Sequence, residues 1–210
     1  MGELSFECVD VRPERYAIAP LLSFKIRITE SDGEPVHAIA LRCQIRVEPR
    51  RRRYAPSEEE RLLDLFGEPP RWSETLNPFQ FANVSHIVPA FTRSVDVDLP
   101  VPCTYDFEVA AAKYFHSLES GEIPLLLLFS GTVFLRDVTG FSVQQIPWHH
   151  ESAYRLPVTV WRELMDIHFP NSGWIRIRRD TLDALQRFKA TRALTSWDQA
   201  FEELLGGVKV

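Results

Sequence analysis

Glycine is scarce in this chain, 9 in 210 residues, and none falls in a GxxxxGKS/T or GxGxxG pattern. A backbone cradle for nucleotide phosphates is therefore not expected. Cysteine is scarcer: Cys8, Cys43 and Cys103 are odd in number, widely spaced and form no CxxC pair. That argues against a disulfide framework, a zinc ribbon and the clustered thiolates of an iron–sulfur carrier. Long apolar runs are also missing. The longest, Ile123 to Leu135, falls short of the roughly 20 residues a membrane helix needs and contains Pro124 and Gly131. The opening MGELSFECVDVRPERY has neither the basic nor the apolar segment of a secretory leader. Phe6 also stands where a myristoylation signal has Ser or Thr. Positive charge is not in excess either, with a net charge of −5, so general attraction to nucleic acid or anionic membrane is not expected. These absences together imply a cytoplasmic chain without a transmembrane segment.

What is present is ordinary for a globular fold: 45% hydrophobic and 25% charged residues, with no repeat or low-complexity linker. Leu22, Phe24, Ile26 and Ile28 alternate with polar residues, as do Ile39, Leu41, Cys43, Ile45 and Val47. This period of two marks strands with one wet face, and the Asp32-Gly33 turn between them predicts a hairpin. Ser57 and Glu60 form a capping-box pattern for a short helix ending before Gly67. Phe79 to Val88 and Phe91 to Leu99 read as further strands, with Tyr105, Phe107 and Val109 continuing the alternation, while Ala110 to Leu118 fits strand or helix. The Ile123–Leu135 run reads as one long core strand, or two around a bulge at Ser130-Gly131. An Asp137–Gly140 turn then leads to a strand at Phe141.

After Pro147 the pattern lengthens to 3.6. Val158, Trp161, Leu164, Met165 and His168 share one helical face. Trp174 to Ile177 reads as a short strand, Asp180 caps the next helix, and Ser196 with Gln199 caps the last, which stops at Gly206-Gly207. The fold class expected is α+β: a predominantly antiparallel sheet or sandwich with helices concentrated in the C-terminal third. A single domain over 1–210 is expected, strand-rich over 1–147 with a helical cap over 148–207. Trp161 and Trp197 are expected in its core.

Catalytic signatures are sparse. There is no GxSxG elbow or HExxH spacing, and His37, His86 and His116 are isolated. His149, His150 and Glu151 form the one local cluster of metal-capable side chains, but adjacent histidines on an extended chain point apart, so no metal or other cofactor is expected. Arg50, Arg51, Arg52 and Arg53 make a dense cationic run, followed at once by Glu58, Glu59 and Glu60. Trp148 and Trp174 sit beside turns, where tryptophan is available to a partner. These six residues are the candidate partner-binding positions.

The segments GEIPLLLLFSGTVF, FSVQQIPW, YRLPVTVWRELMDIHFPNSGWIRI and SWDQAFEELL resemble an uncharacterised bacterial family, domain of unknown function 6084. Its members are often encoded near nickel–iron hydrogenase genes, which implies an accessory role but supplies no catalytic residues. The function expected is thus a non-enzymatic binding or accessory protein acting on another polypeptide, in assembly or function of such a hydrogenase. The alternative is a small-ligand or metal-dependent enzyme with a site assembled from remote residues. A protein partner is expected and nucleic acid is not; the sequence is compatible with a homo-oligomer.

Overall fold

The computed structural model describes residues 2–104, 106, 109–137, 140–173 and 175–206. In chain order the strands are β1 (Leu4–Pro13), β2 (Leu21–Glu30), β3 (Pro35–Val47), β4 (Phe79–Val88), β5 (Phe91–Thr92), β6 (Ser94–Pro102), β7 (Glu122–Asp137), β8 (Gly140–Gln145) and β9 (Glu151–Pro157). The helices are α1 (Pro56–Arg61), α2 (Leu63–Phe66), α3 (Trp72–Thr75), α4 (Ala110–Ser117), α5 (Val158–His168), α6 (Arg179–Thr191) and α7 (Trp197–Gly206).

Two antiparallel sheets result. One has the order β1-β2-β6; the other runs β4-β3-β7-β8, with β5 beside β3 and β9 beside β7. The sheets share one core. From the first come Phe6, Phe24, Ile26, Ile28, Leu99 and Val101; from the second come Ile39, Leu41, Ile45, Leu127, Phe129 and Val133. Phe6 stacks on Phe129 across the layers at 4.7 Å between ring centroids. The outer face of the first sheet is wet, as the alternation demands. Arg27 grips Asp96 with two hydrogen bonds there, and Arg12 reaches Asp98.

The predicted hairpin between β2 and β3 is not formed. β2 has β1 and β6 on its two edges, while β3 lies in the other sheet between β4 and β7. The Ser31–Glu34 turn is therefore a crossing between sheets, held by the Glu30 carboxylate, which accepts from the backbone N–H groups of Gly2 and Glu34.

The long apolar run is a single 16-residue strand, β7. One edge pairs with β3 along Leu125–Leu135, and the other is divided between β9 near its start and β8 near its end. At the changeover Phe129 N–H donates to His150 O and Ile146 N–H to Gly131 O. Gly131 has φ +141°, and a Cβ there would lie 2.1 Å from Ala40 O. Only glycine lets β3 and β7 approach at this point.

Helices close one end of the sandwich. Tyr114 and Phe115 of α4 are fully buried, Phe115 meeting Phe81 of β4 and Trp161 of α5 edge-on at 5.0 and 4.8 Å. The ambiguous Ala110–Leu118 segment is thus helical. Pro56 opens α1, which shifts its N-cap to Ala55; Glu58, not Glu60, folds back onto the Ala55 N–H. Strand β9 extends the β-structure past residue 147 to Pro157.

The chain divides into two compact units, residues 1–174 and 175–210. In the second, α6 and α7 are joined by an Arg192–Glu203 ion pair, and Lys189 lies over the Trp197 ring. Trp197 is 38% exposed, so it is not the core residue expected. Ser196 Oγ accepts from Gln199 N–H as the capping pattern requires, whereas Asp180 falls inside the first turn of α6 rather than at its N-cap. Residues 175–178 form no strand. Tyr105, Phe107, the centre of the Asp137–Gly140 turn and Gly207 lie outside the described residues.

Candidate functional site

After β3 the chain is pinned by Glu48 N–H to Pro124 O, then takes a 3-10 turn over Pro49–Arg51. This places the arginine run opposite the start of β7 and the end of β9. A broad, open cleft of about 740 Å³ lies between them, lined by Arg50, Arg51, Arg52, Arg53, Gly121, Glu122 and Arg155.

The four consecutive arginines are not equivalent. Arg50 donates to the carbonyls of Leu76 and Ser73 at 2.7 and 2.9 Å and to Asn77 Oδ1 at 3.1 Å, tying the run to the end of α3. Arg52 is almost buried, its side chain 8% exposed, and its Nη2 meets both Glu58 oxygens at 2.9 and 2.8 Å. Its guanidinium lies 4.9 Å from the centre of the Tyr54 ring. The Tyr54 hydroxyl is placed 2.8 Å from both Pro49 O and the Tyr114 hydroxyl, and burial pushes its phenol up to about 12. Arg50 and Arg52 therefore build the floor.

The outward charges are Arg51, Arg53 and Arg155. Arg51 Nε stands 4.0 Å from Glu48, and Arg155 Nη1 3.8 Å from Glu122. The Arg155–Glu122 pair is exposed on both sides and contributes at most about 1 kcal/mol. Glu48 is buried and held more closely by Arg46 at 3.2 Å, so an incoming carboxylate can engage both outward arginines. Arg53 is exposed.

Trp148 is 91% exposed, at the turn where β7 changes partners. It lies level with Ser130, eight residues along the strand from Glu122, or about 26 Å. The structure does not bring it to the arginine cleft. Trp174 lies outside the described residues.

The His149 and His150 rings do not point apart: the chain turns at Pro147–His150 and their centroids are 4.5 Å from each other. His150 is buried edge-on against Phe6 at 5.4 Å. Burial, then the neighbouring His149, holds it below the ordinary histidine value. Glu151 is exposed on β9 and does not complete a cluster. Among the described residues no three His, Cys, Asp or Glu side chains are grouped to hold a metal ion.

A family model described as a family of unknown function (DUF6084) matches residues 1–209. The chain belongs to that family. No curated protein matches it. Membership in DUF6084 brings no assigned residues, so the chemistry is read from this chain's own geometry. That geometry offers charge recognition at the cleft: a fixed, hydrogen-bonded floor with three outward guanidiniums. Arg155 escapes notice in the sequence because Pro157 and the helix beyond it mask the alternation Ser152, Tyr154, Leu156 that would have marked β9 and its exposed arginine.

Proposed function

We propose that this DUF6084 protein is a non-enzymatic binding or accessory protein whose arginine cleft takes an acidic segment of another polypeptide. The observation that carries this reading is the open cleft presenting Arg51, Arg53 and Arg155 above the immobilised Arg50 and Arg52. Guanidiniums recognise carboxylates through paired N–H donors, and several of them gathered in one cleft steer an acidic segment toward it. The net charge of −5 opposes a long polyanion, so a short acidic peptide segment fits better than nucleic acid. The resemblance to hydrogenase-linked proteins makes a nickel–iron hydrogenase subunit or maturation factor the first partner to examine, in the cytoplasm, where the three unpaired cysteines stay reduced.

The test is fluorescence anisotropy of a labelled decapeptide rich in Asp and Glu. Saturable binding that weakens steeply with salt is expected, with loss in the Arg51→Glu/Arg53→Glu/Arg155→Glu variant and retention in Arg42→Glu. Undiminished binding by the triple variant, or equal affinity for a lysine-rich peptide, rejects the cleft as the site. Co-purification of hydrogenase components with the wild-type chain but not the triple variant would identify the partner.

A further inference from the structure

A second cavity, of about 370 Å³, opens between α1, α4 and α5 and is lined by Arg61, Phe115, His116, Trp161, Arg162, Met165 and Asp166. Its size falls within the roughly 300–1,000 Å³ of small-molecule sites. Trp161 and Met165, both buried, form an apolar wall with Phe115. Three nitrogen-bearing side chains stand at the rim. Arg61 is the last residue of α1; Arg162 is fixed on α5 by its hydrogen bond to Leu118 O at 2.8 Å; His116 lies near the end of α4. Partial burial, then the nearby guanidiniums of Arg61 and Arg162, hold the His116 imidazole below its ordinary value. Both arginines therefore act on the same point.

The local charge count selects the ligand. Arg61 is paired with Glu119 at 3.0 Å, and Asp166 stands one helical turn beyond Arg162, on the same face of α5. Lys113, the other cation of α4, is held by Asp64. Two guanidiniums facing two carboxylates leave the rim neutral while His116 is uncharged. One further negative charge is balanced if the imidazole gains a proton, whereas a dianion would leave an excess beside Asp166 and Glu119.

We propose that this cavity binds a small monocarboxylate with an apolar tail, and that binding is coupled to uptake of one proton on His116. The carboxylate lies among Arg61, Arg162 and His116, and the tail lies against Trp161 and Met165. Because the free imidazole is neutral at pH 7 and the bound one is charged, affinity falls as pH rises. The fall approaches about tenfold per pH unit while the free imidazole is neutral and the bound one still charged, and it levels off once the bound imidazole deprotonates.

The experiment is an NMR titration of the full chain, reading the His116 ring and the Trp161 indole, with butyrate, butylamine and inorganic phosphate as probes. Millimolar butyrate is expected to shift both signals saturably and to raise the His116 titration midpoint. Calorimetry in buffers of different ionisation enthalpy should report one proton taken up near neutral pH. Arg61→Gln should weaken butyrate by on the order of tenfold, and His116→Gln should abolish the proton uptake. Asp166→Asn removes an opposing charge and should tighten binding, an effect that misfolding does not imitate. Absence of any butyrate shift, equal binding of butylamine or phosphate, or pH-independent affinity overturns the proposal. This outcome is separate from that of the arginine cleft, whose variants lie in other elements.

Discussion

Glu58 accepts hydrogen bonds from the backbone N–H groups of Ala55 and Glu119 and from Arg52. Burial opposes its ionisation, but these donors outweigh it and hold the carboxyl below the usual glutamate value. Glu58→Ala would leave Arg52 charged and unpaired in a nearly closed site, so a loss of about 3–5 kcal/mol is expected in urea unfolding at pH 7. The sign of the pH dependence follows from the depressed value. The pair stabilises the fold above the unfolded glutamate value of about 4.3, and this contribution is lost as pH falls through the lower folded value. Wild type and Glu58→Ala should accordingly converge in stability in acid; a constant gap down to about pH 2 would mean the carboxylate is not the source. Gly131→Ala drives a Cβ into the Ala40 carbonyl and holds alanine at a positive φ, costing about 2 kcal/mol or more by the same measurement. Trp148→Ala, at an almost bare side chain, should change stability by less than about 0.5 kcal/mol. The arginine run was legible in the sequence as charge, but not its division of labour. Nothing local to Arg50 or Arg52 announces that Leu76 O or Glu58 will engage them.

Among the elements, β1 and β9 join the two sheets where their edges meet. β1 is an edge strand of its sheet, and the Cys8 N–H, next to a register shift, donates to Ser152 Oγ of β9 at 3.0 Å. Ser152→Ala should leave a buried N–H without an acceptor and cost about 1–3 kcal/mol, read as a lower urea midpoint with unchanged slope. A changed slope would instead point to a wider rearrangement of that edge. Alternation correctly marked which residues of β2 and β3 face inward, since a period of two reports the buried face. It does not report the neighbour, which is why the Asp32-Gly33 turn suggested a hairpin while the partners of β2 came from residues 4–13 and 94–102. The second cavity was hidden for the same reason. Arg61, His116 and Arg162 belong to three helices, and their meeting depends on Phe115 packing against Trp161.

At the scale of the molecule, Ile175–Arg178, the mostly exposed first segment of the second compact unit, has no regular structure. Limited trypsin digestion should cut first after Arg176, Arg178 or Arg179. The larger fragment, which contains the sandwich core, should retain its far-UV signal; early cleavage within β7 or β9 would contradict that division. The central strand has a consequence of a different kind. β3 ends at Val47 and β7, its long partner, begins some 75 residues later at Glu122. At roughly 5–20 residues per second, a ribosome takes about 4–15 s to cover that interval. During this time one edge of β3 lacks its β7 partner, and the second sheet cannot complete the face that carries Ile39, Leu41 and Ile45. Phe79–Val88, by contrast, emerges within the interval to occupy the other edge. The nascent chain is thus expected to recruit holdase chaperones until residue 135 clears the exit tunnel, and ribosome profiling of chaperone-bound chains should show that engagement ending there.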